Sequence, residues 1–152
     1  MDVYKKIKEL GLEIPELPPK GGIYKPVKQV GNMLYVSGQG STNKGLPIVV
    51  GKIGADRTIE EGQEAARMCA LNALSTLHDY LGDLNKIKSL VKILAFVASA
   101  DNFNQQPKVI DGASKLLADI FGEDNGIGAR SAVGVNELPG NISVEIEFIF
   151  EI

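Results

Sequence analysis

Arg130 is the residue in this chain whose type and position first suggest chemistry. It stands at the head of a short apolar segment, and the only other arginines are Arg57 and Arg67. A guanidinium presents a planar fork of N–H donors that matches a carboxylate, so Arg130 could bind an anionic ligand. An arginine that precedes an apolar strand is more often simply solvated, and the residue alone does not decide between these interpretations.

The residues that follow Arg130 predict two strands joined by a turn. Residues 139–141, Pro-Gly-Asn, have the composition of a turn. From residue 142 to residue 152, apolar side chains alternate with mostly polar ones, which is the pattern of a half-buried strand. Glu145 belongs to the polar set of this strand, and by pattern alone it could be a solvated residue like Glu147.

A hairpin built from these two strands would fix the relative positions of Arg130 and Glu145. A four-residue turn over 138–141 pairs Gly134 with Glu145 and places Arg130 opposite Ile149, on the same face as Glu145. Four residues of strand then separate the two sites, roughly 13 Å at ~3.3 Å per residue. We therefore expect one cleft between them, with open space above Glu145 because glycine has no side chain. A bulge in the turn would instead move Glu145 to the opposite face.

Composition limits the class of protein. The chain has 152 residues, 44% of them hydrophobic and 23% charged, which predicts a single soluble domain over residues 1–152. The net charge of −3 and the absence of a long basic run argue against nucleic acid as a partner. No apolar run approaches the ~20 residues of a membrane span. Met1–Leu10 lacks the apolar core of a signal peptide, and the single cysteine, Cys69, fits a reducing cytoplasm.

The remaining elements predict an α+β fold in which two long helices pack on one face of a mixed sheet. The first helix begins with a Thr-x-x-Glu capping box and ends before a glycine. Residues 1–19 predict a helical extension followed by a proline-rich linker. The predicted helices are Thr58–Leu81 and Pro107–Phe121, and the predicted strands before Arg130 are Ile23–Val30, Met33–Ser37, Leu46–Ile53 and Leu90–Ser99.

Two motifs resemble the signature of the Rid/YjgF family, the reactive-intermediate deaminases also called liver perchloric-acid-soluble proteins. They are R-S-x-V-x-V-x-x-L-P at residues 130–139 and V-E-I-E at 144–147. The resemblance covers residues ~20–152, and the N-terminal helix and the D-G-A-S motif at 111–114 are similar to a longer, less characterised branch. The resemblance implies a chorismate-mutase-like fold and a homotrimer with its sites in clefts between subunits.

The resemblance also implies the site and its reaction. Arg130 matches the family's carboxylate-binding arginine, and Glu145 matches the acid that holds the attacking water. Tyr24, Ser37 and Gly38 match residues that line the substrate pocket. The implied reaction is hydrolytic deamination of an enamine or imine, such as 2-aminoacrylate, to a 2-keto acid and ammonia. An imine carbon is already electrophilic, so we expect neither a metal nor a cofactor; fixing the carboxylate and one water gives positional catalysis.

Two other functions remain open at this stage. One is a non-catalytic trimer whose cleft binds a small carboxylate such as a 2-keto acid. The other is the endoribonuclease activity named for some relatives, which the acidic composition disfavours because phosphate neutralisation dominates nucleic-acid affinity. Three residues depart from the family's pattern: Asp111 stands where the deaminases carry Asn, Ala132 where they often carry Cys, and Gly128 where the longer branch would carry His. An added negative charge at Asp111 would weaken the binding of an anionic substrate.

Overall fold

A five-stranded mixed sheet carries two long helices, and the predicted α+β class is confirmed. The computed structural model describes residues 2–152. The helices are α1 (Val3–Glu9), α2 (Ile59–Leu81), α3 (Gln106–Phe121) and the short α4 (Glu123–Gly126). The strands are β1 (Val27–Val30), β2 (Met33–Gly40), β3 (Thr42–Asn43), β4 (Leu46–Pro47), β5 (Ser89–Ala98), β6 (Ala129–Val135) and β7 (Val144–Glu151), of which β3 and β4 form a separate small ribbon.

The order of strands in the main sheet is β1-β2-β7-β5-β6. β5 and β6 run parallel, whereas β7 is antiparallel to both of its neighbours, β2 and β5. β5 therefore lies between β6 and β7, and the predicted hairpin between these last two strands is wrong. Its register is wrong with it, because Gly134 pairs with Val97 and Glu145 pairs with Phe96 and Gly40.

The path of the chain between β6 and β7 explains why no hairpin forms. The predicted turn is present, as a 3-10 turn over Pro139–Asn141. Beyond it, the Ser143 N–H donates to the Val49 carbonyl and Ile142 forms a single β-bridge with Val50. Val49 and Val50, which precede α2, thus form the backbone hydrogen bonds that a hairpin would have formed between β6 and residues 142–143. The chain then enters β7 on the far side of β5.

Burial along β7 confirms the alternation predicted for it. Val144, Ile146, Phe148 and Phe150 are at most 1% exposed and belong to the core that includes α2 and α3. Each such side chain contributes about 1.5–3 kcal/mol by leaving water. A slip of one residue would expose the whole set, so this register is strongly specified. Most residues of β2, β5 and β7 that alternate with this core row are half-buried or exposed, so the opposite face of the sheet is largely open.

α2 begins and ends as its sequence predicts. The Thr58 hydroxyl accepts a bond from the Glu61 N–H at 3.1 Å, and the Glu61 carboxylate accepts one from the Thr58 N–H at 2.8 Å. The bond from the Thr58 backbone holds the pKa of Glu61 below its ordinary value. Gly82 closes the helix in the left-handed conformation, with φ 73°.

The N-terminal segment and the strands near it depart in part from expectation. α1 buries Val3 and Ile7, and the linker that follows crosses α2, where the Ser75 hydroxyl donates to the Pro15 carbonyl. The strand predicted from Ile23 begins only at Val27. The strand predicted over Leu46–Ile53 is reduced to Leu46–Pro47 and single bridges at Val50 and Ile53. Pro47 has no N–H to donate to a neighbouring strand, and Gly51, with φ 97°, turns the chain away from the extended conformation.

α2 and α3 approach closely at Gly112. A Cβ atom added there would overlap the backbone carbonyl of Gln63, which a rotamer change cannot relieve. We expect Gly112→Ala to lower the free energy of unfolding by roughly 1–3 kcal/mol because the helices must separate. Gly62→Ala is the matched control, since its Cβ would meet only side-chain atoms, Val109 Cγ1 at 2.9 Å and Ile53 Cδ1 at 3.1 Å, and no backbone. Urea unfolding of both variants should show the larger loss in Gly112→Ala; equal losses would contradict this account.

Candidate functional site

Arg130 lies on the edge strand β6 and points toward the helices. Its register neighbour on β5 is Ile93, which in turn pairs with Phe148, and both are buried against the core. Side chains in one row across a sheet share a face, so Arg130 is on the helix face. There its Nη1 donates to Asp111 Oδ1 at 2.9 Å and to Ser114 Oγ at 3.1 Å. The Arg130 side chain is 26% exposed, so it is not the freely solvated strand start that sequence alone allowed.

Glu145 lies on the opposite face of the sheet. It pairs with Phe96 and Gly40, in the half-buried row that alternates with the core row of β7. Within residues 2–152 no group donates a hydrogen bond to its carboxylate. Burial raises the pKa of Glu145, and the negative charge of Glu147 raises it further. The structure therefore provides a carboxyl group that holds a proton more readily than a solvated glutamate.

The space beside Glu145 is created by Gly38. A Cβ atom at Gly38 would lie 2.5 Å from Glu145 Oε1, so the carboxylate rests directly on the glycine backbone. The predicted hairpin register places Gly134 here instead, and that prediction is wrong. A Cβ at Gly134 would instead meet Gln106 Nε2 at 2.7 Å, on the other side of the sheet. The difference follows from the true strand order, which makes β2 the neighbour of this part of β7.

A bulge in β2 brings Gly38 against Glu145. The register between β2 and β7 shifts between Val36 and Gln39, so Ser37 and Gly38 together lie opposite the single residue Glu147. Ser37 is held by two bonds: its N–H donates to the Pro26 carbonyl at 2.9 Å and its hydroxyl to the Lys25 carbonyl at 2.6 Å. Ser37 thus orders the chain that precedes β1.

Asn72 fixes the other end of this bulge. It is 2% exposed, and its Nδ2 donates to the carbonyls of Gly40 and Thr42 at 3.1 and 2.9 Å. Gly40 is paired with Glu145, so α2 holds the backbone beside the acid in place. Sequence reasoning missed Asn72, although a polar residue within the apolar stripe of a helix is the signal that could have revealed it.

Tyr24 and Gly38 line one groove of about 840 Å³. The groove lies between the linker at 17–21, the start of β1, the bulge of β2 and the C-terminal part of α2. The Tyr24 hydroxyl accepts a bond from the Gly21 N–H at 3.1 Å, and the side chain is partly exposed. Ser37 lines a separate hollow of about 340 Å³ on the open sheet face, beside Lys92 and Glu147.

The structure thus brings together only part of the predicted site. Glu145 lies against Gly38, Ser37 precedes Gly38 in the same bulge, and Tyr24 shares a groove with Gly38. Arg130 lies on the other face, two strands away and three residues along, roughly 14 Å from Glu145 by strand spacing. The expectation that Arg130 and Glu145 share a face is wrong, because the register through β5 aligns Arg130 with Phe148 of the core row rather than with Ile149. These two residues cannot line one pocket within a single chain.

Asp111 and Ser114 are the partners of Arg130 that sequence reasoning did not pair with it. They lie three residues apart on α3, so they occupy one helical face and meet the guanidinium together. Their shared D-G-A-S motif was the available signal.

Within residues 2–152, no group of three or more His, Cys, Asp or Glu side chains is arranged to bind a metal. In the same range, every helix is too short or too polar to cross a membrane.

The arrangement of these elements matches a known family. Residues 5–150 match the family model described as "YjgF/chorismate_mutase-like, putative endoribonuclease". The chain therefore belongs to the YjgF/Rid family, as its motifs at 130–139 and 144–147 predicted.

Relatives of known sequence or structure agree with this assignment. Protein TCP17 of Trypanosoma cruzi is 39% identical over 150 residues, which is 99% of this chain and 94% of the relative. A crystal structure of a protein of unknown function from Agrobacterium tumefaciens is 43% identical, covers 99% of this chain and 93% of its own, and has a TM-score of 0.90. A 2-iminobutanoate/2-iminopropanoate deaminase from Dermatophagoides farinae is 34% identical over 140 residues, 91% of this chain and 92% of the relative.

The raised pKa of Glu145 makes a prediction about stability. A carboxyl group whose pKa is higher in the folded than in the unfolded state costs stability once it ionises. The cost is absent below the ordinary value of 4.5 and grows as the pH rises through the folded-state pKa. We expect Glu145→Gln to unfold at a higher urea concentration than the wild type at pH 7, with the difference shrinking toward pH 4.

Glu137→Gln is the matched control for this experiment, because it removes the same charge from an exposed position. Its unfolding midpoint should stay close to that of the wild type at both pH values. A Glu145→Gln protein that is less stable than the wild type at pH 7 would show that the ionised carboxylate has a stabilising partner, contrary to the structure.

Proposed function

We propose that the protein hydrolyses the C–N bond of 2-imino or enamine carboxylates derived from amino acids, of the 2-aminoacrylate type, to 2-keto acids and ammonia. The observation that carries this proposal is the half-buried Glu145 carboxyl, which lies on the side-chain-free backbone of Gly38 with its pKa raised. A general base for water is most effective when its pKa is raised toward the working pH. The relative named as an imine deaminase supports the reaction class.

Each candidate residue has a role in the balanced reaction of 2-iminopropanoate with water to give pyruvate and ammonia. Arg130 binds the substrate carboxylate. Glu145 accepts a proton from the water as its oxygen bonds to the imine carbon, and it passes this proton to the nitrogen that receives the C=N electron pair, which gives the carbinolamine. As the C=O bond forms and the C–N bond breaks, the hydroxyl group gives its proton to Glu145, and Glu145 passes it to the departing nitrogen, which leaves as ammonia.

The positions of Arg130 and Glu145 lead us to propose that the site forms between copies of the chain. The two side chains lie on opposite faces of one sheet, so a substrate that meets both must lie between two subunits. The uncovered sheet face supports association, because Leu94, Phe96 and Ile149 are only partly buried there. We propose a homotrimer, in keeping with the family resemblance, in which Arg130 of one subunit faces Glu145 of the next.

The activity is tested by ammonia and keto-acid release from freshly generated 2-aminoacrylate. We expect Arg130→Ala to lower turnover by roughly 100-fold or more because the carboxylate is no longer positioned. Arg130→Lys keeps the charge but loses the bidentate fork, so the turnover of this variant should also fall sharply. Arg67→Ala, on α2, is the control and should retain activity. Unchanged turnover in Arg130→Ala would rule out this mechanism.

A mixing experiment tests the shared site. Arg130→Ala and Glu145→Gln should each be inactive alone, with light scattering giving three times the mass of one chain. If the subunits are refolded together in equal amounts, about a quarter of the sites receive both an intact arginine and an intact glutamate from neighbouring subunits. Recovery of activity is expected. A monomeric mass, or mixtures as inactive as their components, would overturn the intersubunit site.

A second candidate function is a non-catalytic module that binds a small carboxylate. The pairing of Arg130 with Asp111 supports this function, because these two residues can bind a carboxylate without the water-activating acid Glu145. Carboxylate binding without keto-acid release would identify this function. Endoribonuclease activity is not proposed, since the net charge of −3 gives little attraction for a phosphate backbone.

A further inference from the structure

The guanidinium of Arg130 is already partly neutralised by its own chain. Asp111 Oδ1 lies 2.9 Å from Nη1, and Ser114 Oγ lies 3.1 Å from the same nitrogen. These two acceptors use both hydrogens of Nη1. A ligand that reaches Arg130 therefore meets a cation and an anion side by side, which differs from a lone arginine facing a carboxylate.

Both Arg130 and Asp111 can form further hydrogen bonds with a ligand. The Nε–H and the Nη2 hydrogens of Arg130 have no acceptor within residues 2–152, and they form the parallel edge that binds a carboxylate bidentately. Asp111 Oδ2 has no donor in the same range, and the Asp111 side chain is 59% exposed. The site thus offers two free donors for a carboxylate and, next to them, one free acceptor with negative charge.

We propose that Asp111 is a specificity-determining residue that makes this site select carboxylates carrying a cationic nitrogen on the adjacent carbon over neutral 2-keto acids. The carboxylate of such a ligand binds the free edge of Arg130, and its nitrogen donates to Asp111. This inference rests on the proposed function of Arg130, and it concerns which form of the substrate is bound.

The selection has a chemical consequence for imine hydrolysis. Asp111 favours the protonated iminium, whose carbon is more electrophilic than that of the neutral imine. Water adds to that carbon, one water proton passes to the general base, and the C=N pair becomes the lone pair of the amine. As the C–N bond breaks and the C=O bond forms, the nitrogen takes up the proton held by the base and the proton lost by the hydroxyl group, so the products are the 2-keto acid and ammonium. The product has lost the cationic nitrogen that Asp111 binds, so its release is favoured.

A purely structural role for Asp111 would have a different signature. The Asp111 side chain is 59% exposed, and ion pairs with a solvated partner contribute little to stability. Asp111→Asn keeps the oxygen that accepts from Nη1 but removes the charge. If Asp111 only held Arg130 in place, this change would alter the affinity of every carboxylate by the same factor.

The experiment measures binding of L-alanine and pyruvate, which have the same carbon skeleton, by calorimetry on the wild type and on Asp111→Asn. We expect pyruvate to bind roughly three- to fivefold more tightly and L-alanine to bind more weakly by a similar factor in the variant. The ratio of the two affinities should therefore change about tenfold. Asp119→Asn is the control, because it removes the same charge from the same helix, where Asp119 pairs with Lys115.

The outcomes separate this inference from the proposed function. An unchanged affinity ratio in Asp111→Asn, with keto-acid release from 2-aminoacrylate intact in the wild type, overturns the role of Asp111 alone. Failure of the wild type both to bind either ligand and to release keto acid overturns the proposed function as well. A ratio that changes equally in Asp119→Asn would assign the effect to overall charge and also overturn the proposal.

Discussion

The parallel pairing of β5 with β6 is the constraint on which the rest of this structure depends. β5 is apolar on both of its faces over much of its length, and it has a hydrogen-bonded neighbour on each side. A parallel partner requires a crossover, and α3 provides it, so α3 lies against β6 and meets Arg130. The same pairing leaves β7 to join β2, whose bulge then lies against Glu145.

This constraint also explains which features the sequence could predict. Local signals determined the long helices and the last strand: the capping box at Thr58, the left-handed Gly82 and the alternation through Phe148 are all satisfied within a few residues. The order of strands depends on contacts between distant segments, which a turn motif such as Pro139–Asn141 does not encode. The hairpin was therefore the natural prediction and the wrong one.

The candidate site was predictable to the same extent. The motif at 130–139 identified Arg130, and the motif at 144–147 identified Glu145, but neither contains information about faces. Opposite faces follow from the alternation of side chains once β5 is inserted. The role of Gly38 required the bulge of β2, and that of Asp111 required α3 to cross beside the sheet edge. Both depend on long-range contacts: the D-G-A-S motif identified Asp111, but it could not show that Asp111 meets Arg130.

The buried amide of Asn72 couples the acid to α2. Its hydrogens are shared among carbonyls of the chain that passes Glu145, so the backbone beside the carboxylate is only as rigid as this helix. α2 is buried along most of its length, and core helices open only when the whole domain unfolds. The backbone beside Glu145 should therefore keep its geometry until the core melts, and heat inactivation should coincide with the loss of secondary structure.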